Sequence, residues 1–103
     1  MNIAKMMKQA QEMQGNMAKV QAELAARTVD ASVAGKISVT ANGAGDVLSI
    51  RIDPSVVNAD DVEMLEDLVL TAVRQAIGKG RDMAAEEMKK VTAGMGLPPG
   101  LGF

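Results

Sequence analysis

From the N-terminus, apolar residues recur at alternating steps of three and four: Ile3, Met6, Ala10, Met13, Met17, Val20 and Leu24. This is the 3.5-residue period of a coiled-coil seam, and it predicts one long helix over residues 1–27 with a single sticky edge. Ile3, Ala10, Met17 and Leu24 take the a positions of the heptad and Met6, Met13 and Val20 the d positions. Lys5, Lys8, Glu12, Lys19 and Gly15 fall on the far side. A helix of about 25 residues runs roughly 38 Å, whereas a compact domain of about 100 residues has a radius of gyration of only about 13 Å. One end must overhang. Its apolar edge needs cover, because soluble monomers rarely expose contiguous apolar patches beyond a few hundred Å². A second copy, related by a two-fold axis, is the simplest cover, and the seven seam residues are candidates for that dimer seam.

After Arg27 the period changes to 2. Strands are expected over 28–33, 36–41 and 47–52, with Ala34-Gly35 and Asn42-Gly43 as turns. Ile37, Val39 and Ala41 share one face with Leu48, Ile50 and Ile52, giving a three-stranded antiparallel meander with one greasy face for the helices to cover. Asp53-Pro54-Ser55 ends the third strand, since Pro cannot donate to the ladder. Asn58 is the expected N-cap of a helix whose stripe is Val62, Leu65, Leu68, Val69, Ala72, Val73, Ala76 and Ile77. Gly78-Lys79-Gly80 should kink it or join it to a further helix over 81–91, because two glycines together cost about 2 kcal/mol relative to Ala. In that last segment Glu86 and Lys90 form an expected i,i+4 pair. The expected class is α+β: a long N-terminal helix, the meander, then one long kinked helix or two consecutive ones. A single domain is expected over residues 1–93, with a flexible Gly/Pro-rich tail expected over 94–103.

Composition narrows the chemistry. The 103 residues include no Cys, His, Trp or Tyr and one Phe, so neither a disulfide scaffold nor a Cys/His zinc site can be built, and nucleophilic catalysis with a His base is excluded. No cofactor, metal or small-molecule substrate is expected, and no enzymatic activity. No signal peptide or run of about 18 apolar residues is present; the expected location is the cytoplasm, with no membrane partner.

Charge matters by region. The net charge is −2, yet residues 1–27 carry four basic and two acidic groups, residues 55–76 one and five, and residues 77–103 four and three. The two ends are basic relative to the middle. Gly78-Lys79-Gly80 lacks phosphate-loop spacing and follows a helical pattern. Asp60, Asp61, Glu66 and Asp67 are accounted for by the helix macrodipole at an N-terminus better than by a cation site. Lys5, Lys8, Lys19, Lys79, Arg81, Lys89 and Lys90 are the candidates for contact with a polyanion, and spacing alone favours a solvated helix face over that reading. Without aromatics to stack on bases, single-strand recognition is disfavoured and a duplex held by its phosphates is the compatible partner.

Five segments carry a resemblance. Met7-Lys8-Gln9-Ala10-Gln11-Glu12-Met13-Gln14, Val39-Thr40-Ala41-Asn42-Gly43-Ala44, Ile52-Asp53-Pro54-Ser55, Glu63-Met64-Leu65-Glu66-Asp67-Leu68-Val69, and Gly94-Met95 with Leu97-Pro98-Pro99-Gly100 together resemble the bacterial YbaB/EbfC family of nucleoid-associated proteins, in the same order along nearly the whole chain. The resemblance implies a small α+β protomer, a homodimer with helical arms projecting like tweezers, and double-stranded DNA as the partner, contacted by the first and last helices. It supports Lys8 most directly, since that residue lies within a matching segment. It also implies a role in nucleoid organisation or gene regulation. The alternative from the residues alone is a coiled-coil adaptor that engages a protein and whose lysines are solubilising.

Overall fold

The computed structural model describes residues 2–94. Helix α1 (Ile3–Ala26) leads into strands β1 (Thr28–Val33), β2 (Ile37–Asn42) and β3 (Val47–Ile52), a 3-10 turn at Pro54–Val56, and helix α2 (Val62–Gly94). The expected α+β architecture is the observed one. The expected tail beyond Gly94 lies outside the described residues, and Gly94 itself closes α2.

Helix α1 starts where Asn2 turns its side chain back to accept the Lys5 amide at 3.2 Å, an N-cap that satisfies one of the orphan donors of the first turn. The three strands form an antiparallel sheet in the order β1-β2-β3. Ala34 and Gly35 both have positive φ, 55° and 65°, and the Lys36 amide closes the turn on the Val33 carbonyl at 3.0 Å. This is the turn geometry that matches the twist of flanking strands. The second connection departs from expectation. The positive φ there belongs to Gly45, not to Asn42 or Gly43. Asn42 instead completes β2, and the register shift between Thr40 and Ala41, paired with Ser49 and Val47, makes Leu48 the extra residue of a bulge.

The core forms where α2 lies across β1 and β2. Ile37, Val39 and Ala41 from β2, Ala31 from β1, and Ala72 and Ala76 from α2 are buried, flanked by Val29, Val33, Leu65, Leu68, Val69 and Val73. Ala72, Ala76 and Gly80 follow one another at four-residue steps, so they line a single edge of the helix. That edge is small because the sheet is close. A Cβ built on Gly80 would collide with the carbonyl oxygen of Asn42. The glycine expected to interrupt the helix is therefore the residue that lets it seat, and α2 runs as one helix of 33 residues. The two-helix alternative is not adopted, because packing on the sheet outweighs a propensity loss of about 1 kcal/mol per glycine.

Two further expectations are corrected. Asp61, not Asn58, caps α2, with its side chain accepting the Met64 amide at 3.2 Å; Asn58 makes a local turn by accepting the Asp60 amide at 2.9 Å. The greasy face is also only partly covered by the protomer's own helices. Every residue of β3 is exposed, Leu48 at 55% and Ile50 at 45%, although Ile50 and Ile52 pair directly with the buried Val39 and Ile37. Beside α2, the sheet has an apolar margin open to water. The molecule is long, with a radius of gyration of 19.3 Å and extents of 70 × 22 × 17 Å.

The two glycines of α2 separate helix propensity from packing. Gly78 faces open space, so Gly78→Ala should raise stability by about 0.5–1 kcal/mol. Gly80→Ala should lower it by about 1–3 kcal/mol despite the same gain in propensity. Thermal melts of the two variants check the pair; equal and positive shifts would remove the close-approach argument.

Candidate nucleic-acid interface

The seven basic candidates divide by helix. Lys5, Lys8 and Lys19 stand exposed on α1, and none of them forms an ion pair among the described residues. They sit at heptad positions c and f, on the side away from the seam. Arg81 on α2 is likewise exposed and outside any ion pair among the described residues. The remaining three have protein partners. Lys79 Nζ donates to the main-chain carbonyl of Asp30 at 2.7 Å, tying α2 to β1. Lys89 lies 3.7 Å from Glu86 and Lys90 lies 3.3 Å from Glu87. The expected Glu86–Lys90 pair is replaced by two i,i+3 pairs, Lys89 with Glu86 and Lys90 with Glu87. Exposed ion pairs are worth about 0–1 kcal/mol, so Lys89 and Lys90 are held only weakly by their partners, whereas Lys79, bonded to a main-chain carbonyl, is held more firmly.

The seam candidates are also sorted. Ile3 (70% exposed), Met6 (53%), Ala10 and Met13 are exposed, and Met17 and Val20 are half-buried. Leu24 is buried in its own protomer. It packs on Gly43, where any Cβ would come within 2.9 Å of the Leu24 side chain and carbonyl.

Leu24 belongs to a joint that spacing did not reveal. The Gly43 amide donates to the carbonyls of Leu24 at 2.9 Å and Arg27 at 3.2 Å. Asn42, only 4% exposed, donates through Nδ2 to the Ala25 carbonyl at 3.2 Å, while its Oδ1 accepts the amides of Ala44 at 3.0 Å and Asp46 at 2.9 Å. A buried amide is tolerated because both ends are hydrogen-bonded. Arg27, the C-cap of α1, donates to Glu87 Oε1 at 2.8 Å and so links the two helices. Hydrogen bonds from Arg27, then from Lys90, hold the Glu87 carboxyl below its ordinary value of 4.5. The base of α1 is thereby fixed to both the sheet and α2. Beside this joint lies a cleft of about 380 Å³ lined by Gln21, Leu24, Gly43, Ala44, Ala84 and Met88, a lining with no acid, base or nucleophile.

Fold and surface together define a two-layer α+β protein that carries a basic helix away from its body. The chain belongs to the YbaB/EbfC DNA-binding family, whose model matches residues 1–95. It is 49% identical over 104 residues to a nucleoid-associated protein of Akkermansia muciniphila, with all of both chains covered. It is 50% identical over 98 residues to a nucleoid-associated protein of Thermoanaerobacter sp. strain X514, covering 94% of this chain and 88% of that one. Among solved structures, an uncharacterized protein from Helicobacter pylori shares the fold at a TM-score of 0.68 and 20% identity, with 92% of this chain and 97% of that chain covered. The protein is thus a nucleoid-associated DNA-binding family member. Among the described residues no helix is long and apolar enough to cross a membrane.

Because the folded-state pKa of Glu87 is depressed, its contribution is present at neutral pH and is lost as pH falls through the folded value. Between about pH 5 and pH 3, wild type should therefore lose thermal stability faster than Glu87→Gln, which lacks the titrating group. Parallel melts across that range check this; identical acid sensitivity would show that the Arg27–Glu87 link does not support the joint.

Proposed function

We propose that this protein is a homodimeric, cytoplasmic DNA binder without catalytic activity that holds duplex DNA through phosphate contacts from its helical arms. The observation that carries the reading is the basic face of α1, where Lys5, Lys8 and Lys19 project from a helix whose outer part is exposed all round, in a chain of a DNA-binding family. Free ammonium groups on a rod suit a phosphate backbone, since they neutralise charge without needing a base-specific geometry. Arg81, Lys79, Lys89 and Lys90 of α2 are the further candidates for phosphate contact. The acidic residues Asp60, Asp61, Glu63, Glu66 and Asp67 lie in and before the first two turns of α2, remote in sequence from those contacts.

The open margin of the sheet supports the dimer reading. Val47, Leu48, Ile50 and Ile52, with Val62, Met64 and Leu70 of α2, are large apolar residues left in water by a single protomer. A second copy related by a two-fold axis buries the same set twice. Each large side chain so covered contributes about 1.5–3 kcal/mol. The α1 seam, Ile3, Met6, Ala10, Met13, Met17 and Val20, offers a further surface to a copy of the chain; Leu24 serves inside the protomer.

Phosphate contacts predict broad specificity and steep salt dependence. The logarithm of the binding constant should fall with the logarithm of salt at a slope of about 0.9 per neutralised phosphate. Reversing Lys5 and Lys8 to Glu should abolish most duplex binding while leaving the dimer intact. Gel shifts at several salt concentrations, with sedimentation as the control, check both. Binding indifferent to salt and to the reversals would favour an adaptor that engages a protein instead.

A further inference from the structure

The outer half of α1 makes a demand that the fold does not meet. Residues 3–16 are all exposed, and Gly15 lies among them with nothing near it. Isolated helices shorter than about 12–15 residues are marginal in water, and a glycine weakens this one by up to about 1 kcal/mol more. Packing from beyond the protomer would stabilise it. The heptad says of what kind. Its seam is apolar, and the flanking e and g positions, Asn2, Met7, Gln9, Gln14, Asn16, Gln21 and Glu23, carry one charge, at the base of the helix. Such flanks normally hold the charges that set partner choice or repel the wrong one. Here two identical helices meet no repulsion along residues 3–20, because every lysine is at c or f.

We propose that the outer half of α1 pairs with α1 of a copy from a neighbouring dimer, so that the protein assembles beyond the dimer and can join two DNA duplexes. The proposal rests on the dimer and DNA-binding readings above and adds which copy the arm meets. Each protomer then has two self-complementary apolar surfaces, the sheet margin at β3 and the α1 seam. The seam's outer residue Ile3 is 21 positions from Leu24, roughly 32 Å along the helix, in a molecule 70 Å long and 22 Å across. Two such two-fold contacts on separate axes link dimers into a closed tetramer or an open chain. Pairing directs Lys5, Lys8 and Lys19 outward from both helices of each pair. The joined arms present two basic faces, one for each of two duplexes.

The test uses the full chain and two double variants at positions where α1 touches nothing in its own protomer. Met6→Gln with Met13→Gln removes seam apolarity without adding charge, and Met6→Leu with Met13→Leu keeps it. Sedimentation across a concentration series should take wild type and the Leu variant from dimers to larger species, and leave the Gln variant dimeric. In a bridging assay, with one duplex immobilised and a second labelled, the Gln variant should capture at least about tenfold less labelled duplex, the loss expected when two buried methionines are forfeited. Its affinity for a single duplex should be unchanged. Wild type that stays dimeric at every concentration, or bridging equal in all three proteins, overturns the proposal. Loss of single-duplex binding by wild type would instead strike the DNA-binding reading, and the sedimentation series would still decide the arm contact.

Discussion

The structure depends on how closely α2 approaches the central strand. Ala72, Ala76 and Gly80 present almost no side chain to β2, so the helix backbone settles against Ile37, Val39, Ala41 and the main chain of Asn42. Most other features follow from that seating. The helix lies mainly over β1 and β2 and touches β3 only lightly. The end of the sheet to which Gly80 reaches is also where Asn42 and Gly43 receive the base of α1. One contact therefore fixes the layer spacing, and a joint adjoining it fixes the arm.

The same seating explains why so much apolar surface remains in water. A helix held tightly over two strands covers little of the third, and the margin at β3 is left exposed although Ile50 and Ile52 pair with buried partners. At the other end, α1 projects from the plug of Leu24 on Gly43, with Val20 and Met17 half-buried and every residue from 16 back to 3 exposed. A chain of 103 residues that spends its length on two long helices has little left to cover either. In the proposed assembly a second copy covers these surfaces, and Lys5, Lys8 and Lys19, on the side of α1 away from its seam, stay clear of the contact.

The parts legible in the sequence were those encoded by period. The 3.5-residue repeat located α1, the 2-residue alternation located the strands nearly to the residue, and the stripe from Val62 to Ile77 located the core face of α2. What the sequence did not reveal is tertiary. Gly80 reads as a helix breaker until the Asn42 carbonyl is seen beneath it, and Asn42 reads as a turn residue until its amide is found spanning α1 and the β2–β3 connection. Asp61 and Asn58 are equally good caps on local grounds, and it is Asp61 whose side chain accepts a first-turn amide, that of Met64. Among the basic candidates, exposure of Lys5, Lys8 and Lys19 was legible from the heptad. The engagement of Lys79 with Asp30, and the role of Arg27 and Glu87 in setting one helix against the other, depended on elements far apart in the chain.

The Asn42-Gly43 step also bears on how the protein ages. An asparagine followed by glycine is prone to losing its side-chain amide when the next backbone nitrogen attacks it to form a five-membered imide. Here the Gly43 nitrogen is committed to the carbonyls of Leu24 and Arg27, and the Asn42 amide to Ala25, so neither reactant is free to move onto the other. The folded chain is shielded from this chemistry, while each excursion to the unfolded state exposes it. A carboxylate formed at that position would face the Ala25 carbonyl with no proton to offer. Time spent unfolded would thus be recorded as permanent damage at the root of the arm.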